Sequence, residues 1–316
     1  MDDYPFCSVV IPALNEQDAI ERCLVSLNNQ TYPRDKYEII VVDNGSSDAT
    51  HSIAAKYADR VLDKPGVNVG AVRNYGARHA TGDILICTDS DCLFDRTWIE
   101  SGVSLLQGYP DHVFGGGLKS GDNSTWIERC WLLNDQGENT RQQKDLMGSC
   151  IFIWNSIFMK VGSFREDVTS GEDTELSKAL VAMGKTVSID KALSIVHLGN
   201  ATTITSFSKR QIWHAENYVK NIRQSLKDPV FYLALSFLIL SCFSVVTFVA
   251  YPMLSLRLLV LALLLPVVLS AKRIIRARLD IVAFLTSAPL IYALDLLYLA
   301  SRSIGLAKGI LEFRKA

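Results

Sequence analysis

Four kinds of signal are missing from this chain of 316 residues. No stretch interleaves clustered basic residues with aromatics, which leaves nucleic acid without an electrostatic footprint. No two of the seven cysteines, at 7, 23, 87, 92, 130, 150 and 242, form a Cys-x-x-Cys pair. Most sit inside apolar runs and read as buried thiols of a reducing compartment. No Gly-x-Gly-x-x-Gly or Gly-x-x-x-x-Gly-Lys-Ser/Thr run is present, so phosphate has neither of the usual glycine cradles. The start, Met1-Asp2-Asp3, lacks the positive charge of a secretory signal, and Pro12 interrupts the apolar run behind it. No cleaved targeting segment is expected.

Charge is plentiful, with 32 Lys and Arg against 33 Asp and Glu, but it is unevenly spread. Residues 229–316 hold nine basic and three acidic side chains, whereas the first 228 residues hold 23 and 30. The length accommodates one large α/β domain and a second region of different character.

The first region alternates apolar runs with helical patterns. Phe6 to Ile11, Tyr37 to Val42, a short segment near Arg60 to Leu62 and the apolar run after Gly82 that ends at Asp89 read as strands. Between them lie a helix capped by Asn15 with Ile20, Cys23, Leu24 and Leu27 on one face, a helix over Ala49 to Tyr57, and a third over Gly70 to Ala80 that carries Arg73. Strands alternating with helices through short links predict a mostly parallel sheet flanked by helices.

Two of these strands run into acids: Asp43 after the second, Asp89 and Asp91 after the fourth. Ligands of open α/β sheets gather outside the carboxyl ends of the strands. Carboxylates one residue apart at such a place suit a hard divalent ion, Mg or Mn, held together with substrate phosphates. Asp43 offers acceptors for a base or ribose, and Arg73 offers charge for phosphate. Each has a plainer reading: a polar turn for Asp89-Ser90-Asp91, a turn former for Asp43, a solvated helix charge for Arg73. Their joint placement favours a nucleotide diphosphate site.

The segments Val9-Val10-Ile11-Pro12-Ala13-Leu14-Asn15-Glu16, Val41-Val42-Asp43-Asn44-Gly45-Ser46-Ser47-Asp48, Asn68-Val69-Gly70 with Arg73-Asn74 and Gly76, and Asp89-Ser90-Asp91 follow one another at natural spacing. Together they resemble the successive motifs of family 2 glycosyltransferases, from about Phe6 to about Gly199. The resemblance implies a GT-A fold, a nucleotide-sugar donor bound with Mg or Mn, and an inverting transfer. It also implies that Pro12, Ala13, Asn15, Glu16 and Asp43 contact the nucleoside, and that Asp89 and Asp91 handle ribose, metal and diphosphate. Asn44 departs from the family's frequent second acid.

Further along, Val113 to Gly117 reads as a strand ending in three glycines, Trp126 to Arg141 as a polar helical stretch, and Ser170-Gly171-Glu172-Asp173-Thr174-Glu175-Leu176 as a second cluster of acids. An inverting displacement needs a base for the acceptor hydroxyl, and Glu172 and Asp173 are the candidates. Ser170-x-x-Asp173 also reads as a helix capping box. The family's Glu-Asp motif matches these residues and implies that Asp173 is the base. His197 closes the apolar segment Leu193 to Val196, where many GT-A enzymes place a metal-ligating histidine. The helix over Phe207 to Leu226 carries Gln211-Ile212-Trp213 and lacks the Gln-x-x-Arg-Trp of processive members, which argues for adding a single sugar.

No charged residue occurs in the 28 positions from Pro229 to Leu256, enough for a membrane-spanning helix. Leu256 to Ala271 is a second candidate, and Ile281 to Ala300 a third that contains Asp295, either facing a helix bundle or lying in the interface. The basic link Lys272-Arg273-Ile274-Ile275-Arg276-Ala277-Arg278 and the basic residues Lys209, Arg210 and Lys227 favour a cytoplasmic catalytic domain. The tail after the third candidate, with Arg302, Lys308, Arg314 and Lys315, runs against that tendency.

The expected organisation is therefore a GT-A catalytic domain over residues 1–205, an amphipathic linker helix over 206–228, and a membrane domain over 229–316 with two or three transmembrane helices. The expected protein is an integral membrane transferase for a lipid-linked or polyprenyl phosphate acceptor. A sugar-phosphate nucleotidyltransferase and a non-catalytic nucleotide-sugar-binding scaffold are the alternatives.

Overall fold

The computed structural model describes residues 4–133, 139–143, 145–168, 171–220 and 222–313. Ser170 of the capping alternative, Arg314 and Lys315 lie outside them. The chain divides into two compact units, Met1–Lys119 with Glu138–Gly199, and Ser120–Gly137 with Asn200–Ala316.

The first unit opens with β1 (Cys7–Ala13), α1 (Ile20–Asn28), β2 (Tyr37–Asp43), α2 (Thr50–Tyr57), β3 (Arg60–Asp63), α3 (Val69–His79) and β4 (Ile84–Thr88). β5 (Cys92–Leu93), α4 (Trp98–Gly108) and β6 (His112–Gly115) follow; α5 (Trp126–Leu132) belongs to the second unit. The first unit closes with β7 (Thr140–Gln142), β8 (Cys150–Trp154), α6 (Asn155–Val161), α7 (Glu172–Ala182), β9 (Thr186–Asp190) and β10 (Val196–His197).

Eight strands form one sheet in the order β3-β2-β1-β4-β8-β6-β9-β7. The pairs β1/β2, β1/β4, β2/β3 and β6/β9 are parallel, and β8 runs antiparallel to both its neighbours. Side chains alternate across the sheet. Val9, Ile11, Ile39, Val41, Ile84 and Ile86 pack with Ile20 and Leu24 of α1 and Trp98 of α4. Val10, Ile40, Val42, Leu85 and Cys87 pack on the other face with Val72 of α3 and Leu176 and Leu180 of α7. Each such fully buried side chain contributes about 1.5–3 kcal/mol. Coverage of both faces explains why these strands read as unbroken apolar runs.

Two local expectations are corrected. Asn15 does not cap α1, whose N-cap is Ala19 without a side-chain bond. Asn15 instead adopts a left-handed backbone, φ 56°, and its Oδ1 accepts from the Ser47 N–H at 2.9 Å. Asparagine tolerates that conformation better than other non-glycine residues. The polar helix expected from Trp126 to Arg141 stops at Leu132, and Thr140–Gln142 forms the edge strand β7 paired with β9.

The second unit adds α8 (Ile204–Lys220), α9 (Ile222–Ser225), α10 (Pro229–Thr247), α11 (Pro252–Ala277) and α12 (Ile281–Phe313). Pro229 and Pro252 stand in the first turns of α10 and α11, where a missing N–H costs nothing. Among the described residues, α10, α11 and α12 are long and apolar enough to cross a membrane. Their large side chains point outward, including Val245, Val246, Leu261, Leu264, Val268, Val282 and Leu285. Such a surface suits hydrocarbon, where helices satisfy their own backbone bonds. Asp295 of α12 takes the bundle-facing alternative: it is 0% exposed, 3.1 Å from Arg273 and 2.9 Å from Ser270, both on α11.

Candidate active site

At the carboxyl ends of β1, β2 and β4 the chain turns through three loops that hold one another. Ser46 Oγ donates to Asp43 Oδ1 at 2.5 Å, and its own oxygen accepts from the Asn15 N–H at 2.9 Å. The Glu16 N–H donates to Thr50 Oγ1 at 2.7 Å, and the Asn44 N–H to the Ala13 carbonyl at 2.8 Å. The Pro12 to Glu16 segment is thus tied to the loop that begins at Asp43. Asp43 is buried with its carboxylate turned onto Ser46, the turn-forming role open to it. The amide of Asn44 bonds the Val67 backbone in both directions, at 2.9 and 3.2 Å, so the departure at this position has a structural use.

Arg73 is placed differently from the phosphate-facing residue that the sequence suggests. It is 4% exposed, and its two terminal nitrogens donate to Asp89 Oδ1 and Glu172 Oε1, each at 2.6 Å. Burial opposes the guanidinium charge, but Asp89, followed by Cys87 and Glu172, holds it above its ordinary value. Residues 99 positions apart are clamped together in this way. Gly148 makes the clamp possible, because a Cβ there would lie 2.8 Å from both terminal nitrogens of Arg73. Nothing in the local pattern around Gly148 marks this role, since its neighbours come from α3 and α7.

The same Gly148 separates the two adjacent acids. Glu172 is buried and paired with Arg73, whereas Asp173 accepts from the Gly148 N–H at 3.0 Å and the Thr174 N–H at 2.7 Å. Among the described residues Asp173 forms no ion pair, so its charge is oriented by backbone dipoles and not neutralised. Gly171 is the N-cap of α7, and its left-handed φ of 83° leads into both acids in the first turn.

Asp91 and His197 meet on the other side of Asp89. β5 pairs antiparallel with β10 so that Cys92 stands opposite His197, and His197 Nδ1 lies 3.4 Å from Asp91 Oδ2. Donor atoms of Asp91, Cys92 and His197 all lie within 4.8 Å of one another. Gly199 lines this corner; a Cβ there would come within 2.6 Å of Asp91 Oδ2. Burial pushes the Asp91 carboxyl up; His197 pulls it back and Asp89 pushes it further. Glu16 is likewise raised, by burial first and then by Asp91, Asp89 and Asp48. Both acids are raised chiefly by burial and further by neighbouring carboxylates, and a divalent cation at Asp91 and His197 would offset that crowding of negative charge. The donor set fits such an ion.

The sequence-derived candidates Glu16, Arg73, Asp89, Asp91, Glu172, Asp173 and His197 are therefore held around one concentration of acids. Pro12, Ala13, Asn15 and Asp43 form its supporting loops. The sequence around Cys92 and Gly148 carries no functional signal of its own, and only tertiary pairing reveals them. Six cysteines are buried, with burial pushing Cys87 and Cys150 up to about 12, and Cys242 is exposed.

Comparison with known proteins bears on the family and the fold. Glycosyltransferase AglE of Haloferax volcanii is 32% identical over 190 residues, covering 57% of this chain and 62% of AglE. The match thus spans less than two thirds of that relative. The mannosyltransferase PcManGT of Pyrobaculum calidifontis, solved with GDP-Man and Mn2+, superposes with a TM-score of 0.57 at 18% identity, over 97% of this chain and 88% of its own. GalNAc-T7, solved with UDP, GalNAc and Mn2+, gives a TM-score of 0.51 at 16% identity, over 70% and 52%. At these identities the structural likeness concerns the fold, which is GT-A. The family described as glycosyl transferase family 2 matches residues 8–166, half of the chain. The parallel sheet, the acids at its strand ends and this match together make the chain a member of glycosyl transferase family 2.

Proposed function

We propose that this protein is a membrane-bound, metal-dependent, inverting hexosyltransferase that moves one sugar from a nucleotide-sugar donor to a membrane-associated acceptor, a lipid-linked sugar or a polyprenyl phosphate. The observation that carries the proposal is the division of labour between Glu172 and Asp173. An inverting transfer needs one carboxylate free to take the acceptor hydroxyl's proton while the leaving nucleotide departs from the opposite face. Glu172 is committed to Arg73, and Asp173 is held in place by two N–H donors with lone pairs to spare.

In this reading Asp173 accepts the acceptor proton, and the Gly148 and Thr174 N–H groups fix the direction of its carboxylate. Arg73 holds Glu172 and Asp89 still, so that the base and the donor side keep their separation. Asp91 and His197 would hold the divalent ion, Mg or Mn, whose charge would stabilise the leaving diphosphate. The Pro12 to Glu16 loop, braced by Ser46 and Thr50, receives the nucleoside together with Asp43. The nucleotide-sugar and Mn2+ contents of the neighbouring structures support a donor and cation of these classes.

Residues 229–316 serve as the membrane domain, after a catalytic region over 1–205 and a linker helix over 206–228, with the catalytic side in the cytoplasm. Tethering by the same chain confines a soluble enzyme to a bilayer surface, where a lipid acceptor is concentrated. Family membership weighs against the nucleotidyltransferase alternative.

The test is turnover of a panel of nucleotide sugars by membranes carrying the protein, with and without added manganese. Metal-dependent transfer into the lipid fraction, abolished in Asp91→Asn and Asp173→Asn, is the expected result. Transfer that survives both substitutions sinks the assigned roles, and donor binding without turnover of any donor favours a scaffold.

A further inference from the structure

The corner at Asp91 and His197 contains a donor that Mg and Mn do not need. Cys92 is the cross-strand partner of His197 in the β5/β10 ladder, and such partners project from the same face of a pair. Its sulfur lies 3.9 Å from Asp91 Oδ1, and all three donors fall within 4.8 Å of one another. A tetrahedral ion with bonds of about 2.0–2.3 Å holds its donors about 3.3–3.8 Å apart. Asp91 and His197, at 3.4 Å, already meet that spacing, and the buried Cys92 sulfur would have to close in from 3.9 Å on Asp91 and from within 4.8 Å on His197.

We propose that Cys92 is a third protein donor, so that Asp91, Cys92 and His197 form a mixed oxygen, sulfur and nitrogen site for a borderline-soft divalent ion, zinc or cobalt, in competition with Mg or Mn. This rests on the reading of Asp91 and His197 as the ion's ligands. Hard ions prefer oxygen, whereas zinc and cobalt gain from sulfur. Binding forms a metal–sulfur bond and releases the thiol proton to water. The consequence is a transferase that zinc binds tightly at the donor end of its site and thereby inhibits.

The experiment uses the full-length chain in detergent, stripped with a chelator, in a Cys242→Ser background that removes the exposed thiol. Cobalt is added first. A sulfur-to-cobalt charge-transfer band in the near ultraviolet is expected, and it disappears in Cys92→Ser. Zinc affinity, read by competition with a chromophoric chelator, falls at least about tenfold in Cys92→Ser, as loss of a ligand requires. His197→Gln is the second arm: zinc affinity falls comparably while the band persists at saturating cobalt.

No band in the parent protein, a band that survives Cys92→Ser, or zinc affinity unchanged in both variants overturns the proposal. Those results leave the transferase reading intact, because manganese-supported sugar transfer by the parent chain tests it separately. Conversely, a cobalt band with no transfer under any metal upholds the sulfur donor and sinks the transferase reading.

Discussion

Two arginines of this molecule, Arg73 buried and Arg273 half-buried, make opposite kinds of cluster. Arg273, in the helical unit, faces one acid, Asp295, at 3.1 Å. Its guanidinium also donates to the Trp131 carbonyl at 3.3 Å and lies 4.1 Å from the Trp131 ring. Asp295 accepts in addition from Ser270 Oγ. That cluster is neutral, one arginine against one acid. Arg73 faces two acids at 2.6 Å, Asp89 and Glu172, with Asp91 and Glu16 adding to the negative charge around Asp89. The sheet-end cluster is short of positive charge and the helical one is not. An uncompensated surplus of acid at strand ends is a place for a cation and a base; a balanced pair between apolar helices is a fastening.

The largest expected effect separates the acids within the first cluster. Asp173→Asn keeps the shape and removes the proton acceptor, so transfer falls about a hundred- to ten-thousandfold with donor binding retained. Glu172→Gln keeps a hydrogen-bond acceptor for Arg73 and costs far less turnover. Transfer kinetics of the two purified variants decide the matter: equal losses would erase the division between base and brace.

Next come the two arginines themselves. Arg73→Met and Arg273→Met each strand a buried acid, and each lowers stability by about 3–5 kcal/mol. The second substitution distinguishes them. Arg273→Met with Asp295→Leu restores thermal stability in detergent, because a neutral pair can be replaced by packing. Arg73→Met with Glu172→Met recovers part of the stability but not transfer, since Asp89 loses its partner as well. Restored transfer in that double variant would show that the clamp is only a fastening.

A smaller effect is expected at Gly148. Gly148→Ala puts a methyl group against the guanidinium and displaces the N–H that aims Asp173. Misplacement of this order costs transfer about tenfold to a hundredfold. Measured as kcat against KM, the loss should fall on kcat. A change confined to KM would mean that Gly148 serves donor binding instead.

Much of this was legible in the chain. Asp43, Asp89 and Asp91 are legible at strand ends because a run of β-branched residues followed by an acid is a local pattern, and a helix start at Glu172 and Asp173 is legible from acids that favour a first turn. Arg73 was legible as a residue of the site but not as a buried clamp, because its partner Glu172 lies 99 positions away. The pairing of Cys92 with His197 and the left-handed turn at Asn15 likewise depend on segments distant in sequence. Thr140 and Arg141, in a stretch that reads as helical from its polarity, belong instead to β7 because β9 offers them an open edge.

A third buried acid sharpens the contrast from the far end of the sheet. Glu38 of β2 has its nearest arginine, Arg60, 3.8 Å away, and is satisfied mainly by hydrogen bonds from Ser8 Oγ at 2.7 Å, the Thr81 N–H at 2.8 Å and Thr81 Oγ1 at 2.7 Å. Burial pushes its carboxyl up, but Ser8 and Thr81 outweigh burial and hold it below the usual glutamate value. A depressed carboxyl stabilises the fold fully above its unfolded pKa, and that contribution is lost as pH falls through the folded value. Glu38→Gln should therefore cost about 2 kcal/mol near neutral pH. The gap between the two chains should close as acid titrates the wild type below the ordinary glutamate range. Denaturant unfolding at several pH values measures it. A gap that stays constant with pH would mean that shape, and not charge, is what Ser8 and Thr81 hold, leaving the acids beside Arg73 as the site of this sheet where charge matters.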